Sequence, residues 1–227
     1  IIAGPNIGFI SCSTWTTPER FSVGISRLMV EMKTGTHDRG TTFFPLYRYE
    51  TFLGGKPEKT HNLTQDFLDE WCLTTRTQFV ALGRGDKEGW TGPEDVLLYL
   101  YGLFHSPEYR RRHRNALSKR FPIVLLTSNR SLLRLLTQLG GELASLHLLE
   151  SPKLSRSITE FVGNRDIAVE KVSWSQNSVW LDKDQTVGFR SVPAAVWNLH
   201  IAGYQVCEKW LKDRKGRKLS KADIEHY

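Results

Sequence analysis

Residues 92 to 150 constrain the fold of this chain more than any other part. Pro93 suits the first position of a helix, and Val96, Leu97, Leu100, Leu103 and Phe104 follow at helical spacing. Ser106-Pro107-Glu108 repeats the signal: an N-cap residue, a proline at the first helical position, and an acid that suits the helix dipole. That second helix is expected to carry Tyr109, Ala116 and Leu117 among Arg110, Arg111, Arg112, His113, Arg114, Lys119 and Arg120. Phe121 to Leu126 reads as a short buried connection. Ser128 or Asn129 then caps a leucine-rich helix with Leu132, Leu133, Leu135, Leu136, Leu139, Leu143 and Leu146, which Ser151-Pro152 ends. Gly140-Gly141 inside it predicts a kink or a close packing contact.

Strand signals flank this block. Residues 1 to 50 are strand-rich, with Ile7 to Cys12, Phe21 to Ile25 and Ser26 to Lys33 as candidate strands, and Pro45 in Phe43 to Tyr49 argues for an edge position. Residues 51 to 62 form a connection, Leu63 to Leu73 reads as a short helix, and Ala81 to Gly92 is glycine-rich loop. In the 158 to 192 β region, Ala168 to Trp174, a Gln176-Asn177-Ser178 turn and Val179-Trp180-Leu181 predict a hairpin. Residues 193 to 227 are helical: Ile201, Tyr204, Cys207 and Leu211 share one face of an amphipathic helix, with Trp210 beside them. Gly216 sits where a left-handed C-terminal residue is wanted. Ser220 and Asp223 resemble a further helix start. The order is a β-rich N-terminal part, central helices, a β-hairpin region and a C-terminal amphipathic helix. It lacks regular βαβ alternation, and the fold class is α+β.

The 227 residues can bury a core as one large domain or two small ones. A net charge of +7 and a pI near 9.4 favour an anionic partner. Cys12, Cys72 and Cys207 are odd in number and far apart, which suits reduced thiols of an intracellular protein and neither a disulfide framework nor a zinc site. No apolar run reaches membrane-spanning length, and no membrane partner is expected. A start at Ile1 suggests a piece of something larger.

Catalytic patterns are weak. Glu19 followed by Glu31-Met32-Lys33 mimics the carboxylate and Glu-x-Lys layout of Mg²⁺-dependent nucleases, but a match this short arises freely by chance. The histidines lack metal-ligand spacing, and His147 and His200, beside apolar residues, read as core histidines. No Walker-type phosphate loop and no serine in a nucleophile elbow are present. No catalytic or metal-binding residue is assigned. The cations from Arg110 to Arg120 suit phosphate contact as well as they suit a solvated face. Those from Lys209 to Lys218 are explained in part by a helix C-terminus, Arg217 and Lys218 least so.

The run His200 to Arg217 (HIAGYQVCEKWLKDRKGR) resembles the C-terminal signature of single-chain Type ISP restriction–modification enzymes, of a Type IIG-like plan, and related adenine-specific DNA methylases. Phe43 to Tyr47, Glu94 to Arg110, Leu126 to Arg130 and Leu146 to Glu150 are similar to the same family in the same order. The resemblance implies that residues 1–227 form the target recognition domain, binding double-stranded DNA for an upstream methyltransferase domain of the same chain in a prokaryotic cytoplasm. It implies no catalysis and no cofactor in this stretch, S-adenosylmethionine belonging to the upstream domain.

Stretches shared across a family with differing targets are unsuited to base reading. On that ground Arg110, Arg111, Arg114, Lys209, Lys212, Arg214 and Arg217 are expected to be scaffold or DNA-backbone contacts. Base reading is expected from Arg39, Arg84, Arg156, Asn164, Arg165, Gln176 and Asn177, which carry donors and acceptors for base edges. An interdomain coupling module with little DNA contact is the alternative.

Overall fold

The computed structural model describes residues 4–12, 23–31, 40–50, 55, 57–117, 119–201 and 204–226, with only the backbone of Ile201 and His226. It divides into two compact units, Ile1–Pro152 and Lys153–Tyr227, each with its own hydrophobic core.

The first unit begins with β1 (Gly8–Ser11), β2 (Gly24–Ser26) and β3 (Thr42–Pro45), an antiparallel sheet in the order β2-β1-β3. Pro45 therefore lies on an edge strand, where its missing N–H costs no ladder bond. Of the expected strand from Ser26 to Lys33, the described residues 27–31 are not strand, and Met32 and Lys33 lie outside the described residues. The Ser26 hydroxyl instead bonds both the amide and the carbonyl of Leu28, turning the chain out of the sheet. β4 (Tyr47–Glu50) pairs with β5 (Glu58–His61). α1 (Gln65–Thr75) is capped by Thr64, whose Oγ1 accepts from Phe67 N, and buries Leu68 and Trp71. β6 (Gln78–Phe79) runs parallel to β7 (Trp90–Thr91), so the expected loop is tied into a strand pair at its end.

α2 (Pro93–His105) and α5 (Arg130–His147) are the helical spine of this unit; between them lie α3 (Pro107–Arg112) and α4 (Arg114–Leu117). The single basic helix expected here is thus broken at His113, whose φ of −101° and ψ of 14° leave the helical region. Phe121 to Leu126 is not a buried link either: Phe121, Val124 and Leu125 are exposed, while the Tyr99 and Tyr109 hydroxyls hold it by donating to the Leu125 and Ile123 carbonyls. α5 runs without interruption through Gly140-Gly141, so close packing, not a kink, explains that pair. A Cβ at Gly140 would lie 1.9 Å from the Leu98 carbonyl oxygen of α2, and one at Gly102 would lie 2.4 Å from that of Leu136.

In the second unit, β8 (Glu160–Val162), β9 (Ser173–Ser175), β10 (Ser178–Trp180) and β11 (Gly188–Arg190) form an antiparallel sheet ordered β8-β11-β10-β9. The hairpin is tighter than expected, and Ala168 lies outside it in an isolated bridge to Lys218. Its two-residue loop, Gln176-Asn177, has φ of 50° and 55°, the left-handed pair that a type I′ turn requires. Val179 and Phe189 are fully buried on one sheet face against Val169, Val187, Val192, Leu211 and Leu219.

After α6 (Ala194–Trp197), the predicted amphipathic helix is half hairpin: β12 (His200–Ile201) pairs with β13 (Tyr204–Gln205), and only α7 (Val206–Lys212) is helical. The Gln205 side chain explains the boundary, because it caps α7 by accepting from Glu208 N and ties back to the Trp197 carbonyl. His200 on β12 and His147 at the end of α5 are both exposed, not core histidines. Gly216 takes its expected left-handed φ of 78°. α8 (Lys221–His226) opens with the expected box: Ser220 Oγ accepts from Asp223 N at 3.1 Å, and the Asp223 carboxylate accepts from Ser220 N at 3.0 Å. Both helices and antiparallel sheets are present, and the fold is α+β.

Candidate nucleic-acid interface

The expected backbone cations divide by what holds them. In the first unit Arg110 turns inward: its Nε donates to the Phe104 carbonyl at 2.7 Å, and burial pushes its guanidinium pKa down. Arg110 belongs to the scaffold, closing the α2–α3 junction. Arg111 and its neighbour Arg112 bracket Glu108 on the exposed side of α3, holding that carboxyl near a pKa of about 2. Arg114 is exposed on α4.

In the second unit Arg214 is likewise scaffold. Its guanidinium lies 3.5 Å from the Trp210 ring centroid, donates to the Trp210 carbonyl, and pairs with Asp223 at 3.0 Å. Together with the Ser220 amide and hydroxyl, that pair lowers the Asp223 pKa to about 2. Lys209 pairs with Asp213 and Lys212 with Glu208 at helical spacing, exposed arrangements that water screens strongly. Arg217 is exposed and makes no side-chain hydrogen bond or ion pair among the described residues.

The expected base readers are less alike than their side chains suggest. Arg84 lies in the loop before α2, where Asp95 organises the backbone: its carboxylate accepts from Arg84 Nε at 2.8 Å, Gly85 N at 2.7 Å and Gly92 N at 3.0 Å. Arg84, Lys87, Arg130 and Arg134 line a groove of about 340 Å³ with Asp86 and Glu88, so its charge is mixed. Asn164 is spent on a local turn, its Oδ1 accepting from Asp166 N at 2.9 Å. Arg156 and Arg165 are exposed. Gln176 and Asn177 stand at the hairpin tip with side chains that bond no described residue. Arg39 lies outside the described residues.

Glu19, Met32 and Lys33 of the nuclease-like pattern also lie outside the described residues, and no cluster of His, Cys, Asp or Glu that could hold a metal occurs among those described. No described helix is long and apolar enough to cross a membrane. In the sequence Arg190 follows Gly188-Phe189 as one more strand residue; only the sheet register brings it to the hairpin turn.

Small antiparallel sheets and a paired-helix spine define a mixed α+β module. The chain belongs to the Type ISP C-terminal specificity domain family, whose model matches residues 3–227. Solved structures agree in fold. One, the ATP-dependent Type ISP restriction–modification enzyme LlaBIII bound to DNA, matches with a TM-score of 0.65 and 19% identity over 98% of this chain and 14% of its own. A nuclease-deletion mutant of the Type ISP enzyme LlaGI, in complex with a DNA substrate mimic, gives 0.60 and 18% over 98% and 18%. The DrdV–DNA complex gives 0.66 and 20% over 98% and 21%. The chain therefore spans no more than about a fifth of the length of these proteins. Comparison with curated proteins found no match.

Proposed function

We propose that this chain reads the sequence of duplex DNA for a single-chain restriction–modification enzyme. Membership of the specificity-domain family is the observation that carries the reading, and structural neighbours bound to DNA support it. The chain itself does no catalysis in this reading. Its parent is an N6-adenine methyltransferase of the prokaryotic cytoplasm, with S-adenosylmethionine held upstream. Arg111, Arg114, Lys209, Lys212 and Arg217 contact phosphates and set register, while Arg110 and Arg214 hold the scaffold behind them. Base edges are met by residues drawn from Arg39, Arg84, Arg156, Asn164, Arg165, Gln176 and Asn177.

Fluorescence anisotropy with labelled duplex across a salt series tests this. Log affinity is expected to fall linearly with log salt, and alanine at the five phosphate residues to flatten the slope, by up to about 0.9 for each phosphate no longer neutralised. An unmoved slope and affinity would remove those residues from the footprint.

One observation favours a second reading, docking on the upstream methyltransferase. Leu132, Leu135 and Leu139 are 42%, 51% and 49% exposed along one stripe of α5. A chain that ignored duplex at low salt, yet associated with that upstream domain, would replace the first reading with this one.

A further inference from the structure

The β8–β11 sheet has one face with a core and one without. Val179 and Phe189 point into the core, so pleat alternation sends Ser178 and Arg190 to the opposite face, and ladder pairing places Glu160 on β8 directly beside Arg190. Gln176, Asn177, Trp180, Arg190, Ser191 and Pro193 line one hollow at the turn end of this sheet.

The backbone there is firmly held. Val192 N donates to the Asn177 carbonyl at 2.8 Å, Trp174 Nε1 to the Val192 carbonyl at 2.9 Å, and Trp180 Nε1 to Ser175 Oγ at 3.0 Å. Gln176, Asn177 and Ser191 are all in the left-handed region, with φ of 50°, 55° and 62°, a conformation that costs a non-glycine residue and clusters at functional sites. The side chains on this frame are idle. Gln176, Asn177, Arg190 and Glu160 make no side-chain hydrogen bond or ion pair with any described residue, although Arg190 and Glu160 are neighbours of opposite charge. Arg84, Arg110 and Arg214 are, by contrast, held by Asp95, the Phe104 carbonyl and Asp223.

What such a set would bind follows from its chemistry. A phosphate suits Arg190 but is repelled by Glu160 beside it. A G·C pair suits both, because its major-groove edge offers the N7 and O6 acceptors of guanine and then the N4 donor of cytosine. Resting on duplex recognition as proposed above, we infer that Arg190 and Glu160 read one G·C pair from the major groove. Arg190 donates to guanine N7 and O6, Glu160 accepts from cytosine N4, and Gln176 and Asn177 face the adjoining pair.

Selection of duplexes from a randomised pool by the whole chain, followed by anisotropy on the selected site, tests this. The wild type is expected to enrich a site with an invariant G·C pair. Arg190→Ala should cut discrimination at that pair roughly 5- to 150-fold, leaving the salt slope and the melting temperature unchanged. Replacing that guanine by 7-deazaguanine should weaken the wild type and leave Arg190→Ala unaffected. Asn177→Gly, which keeps the left-handed turn, should relax the neighbouring position only. If Arg190→Ala and Glu160→Gln enrich the wild-type site with undiminished discrimination, the inference is overturned while duplex reading stands. If the wild type enriches no site, sequence reading by this chain falls, and the inference with it.

Discussion

His105 shows how one side chain can report on the state of the first unit. Its Nδ1 donates to the Tyr101 carbonyl at 2.9 Å, and its ring packs against those of Tyr101 and His147 at the end of the α2–α5 pair. Burial, with Arg110 and His147 nearby, lowers its pKa from 6.5 to about 4 despite the bond to the Tyr101 carbonyl. The folded chain thus releases a proton that the unfolded chain keeps. Between about 6.5 and about 4 the unfolded state binds more protons, so stability is complete above that window, declines as pH falls through it, and levels off below it. Partial burial of its ring against Tyr101 and His105 shifts His147 in the same direction, although the residue as a whole is exposed. Thermal melts at pH 7.5 and 4.5 should show the wild type losing roughly 2–4 °C more than His105→Gln. Equal losses would place the titrating group elsewhere.

Among the elements, the crossing of α2 and α5 makes the sharpest demand. At Gly140 an added methyl group meets the Leu98 carbonyl at 1.9 Å and the Gly102 amide at 2.8 Å, both backbone atoms with nowhere to go. At Gly141, one residue on, it meets only Leu98 Cδ1 at 3.4 Å. Gly140→Ala should therefore destabilise the chain by about 1–3 kcal/mol, and Gly141→Ala should be neutral or stabilise it by up to about 1 kcal/mol through helix propensity. Urea melts that ranked the two the other way round would refute the packing. Much of this level was legible beforehand. The caps Asn129 and Ser106, the proline starts of α2 and α3, and the edge position of Pro45 are local chemistry, written in neighbouring residues. Register was not legible. The pairing of Arg190 with Glu160 joins residues far apart in the chain, and the break at His113 and the hairpin at the start of the amphipathic helix interrupt a helical period that periodicity alone would continue. The same blindness hid which cations are spent: nothing local distinguishes Arg110, bonded to a carbonyl, from Arg111 on the open side of the helix.

For the molecule as a whole, two cores mean that lesions should be readable unit by unit. Leu211 is fully buried in the second core, and Leu211→Ala is expected to cost that unit about 2–5 kcal/mol. Hydrogen exchange should report it as lost protection in β10 and β11, with the α2 and α5 amides of the first unit changed least. Uniform loss across both units would mean that the chain unfolds as one body.

The Gln176-Asn177 turn sets a limit on what the second unit can become. Both residues hold a backbone that β-branched side chains tolerate poorly, so the repertoire open at the tip is small: asparagine, aspartate, glycine and a few others. Arg190, on an ordinary strand, is under no such restriction. Attempts to retarget this chain should find the strand position freely exchangeable and the tip restricted to a short alphabet, so that new specificities come unevenly across the site.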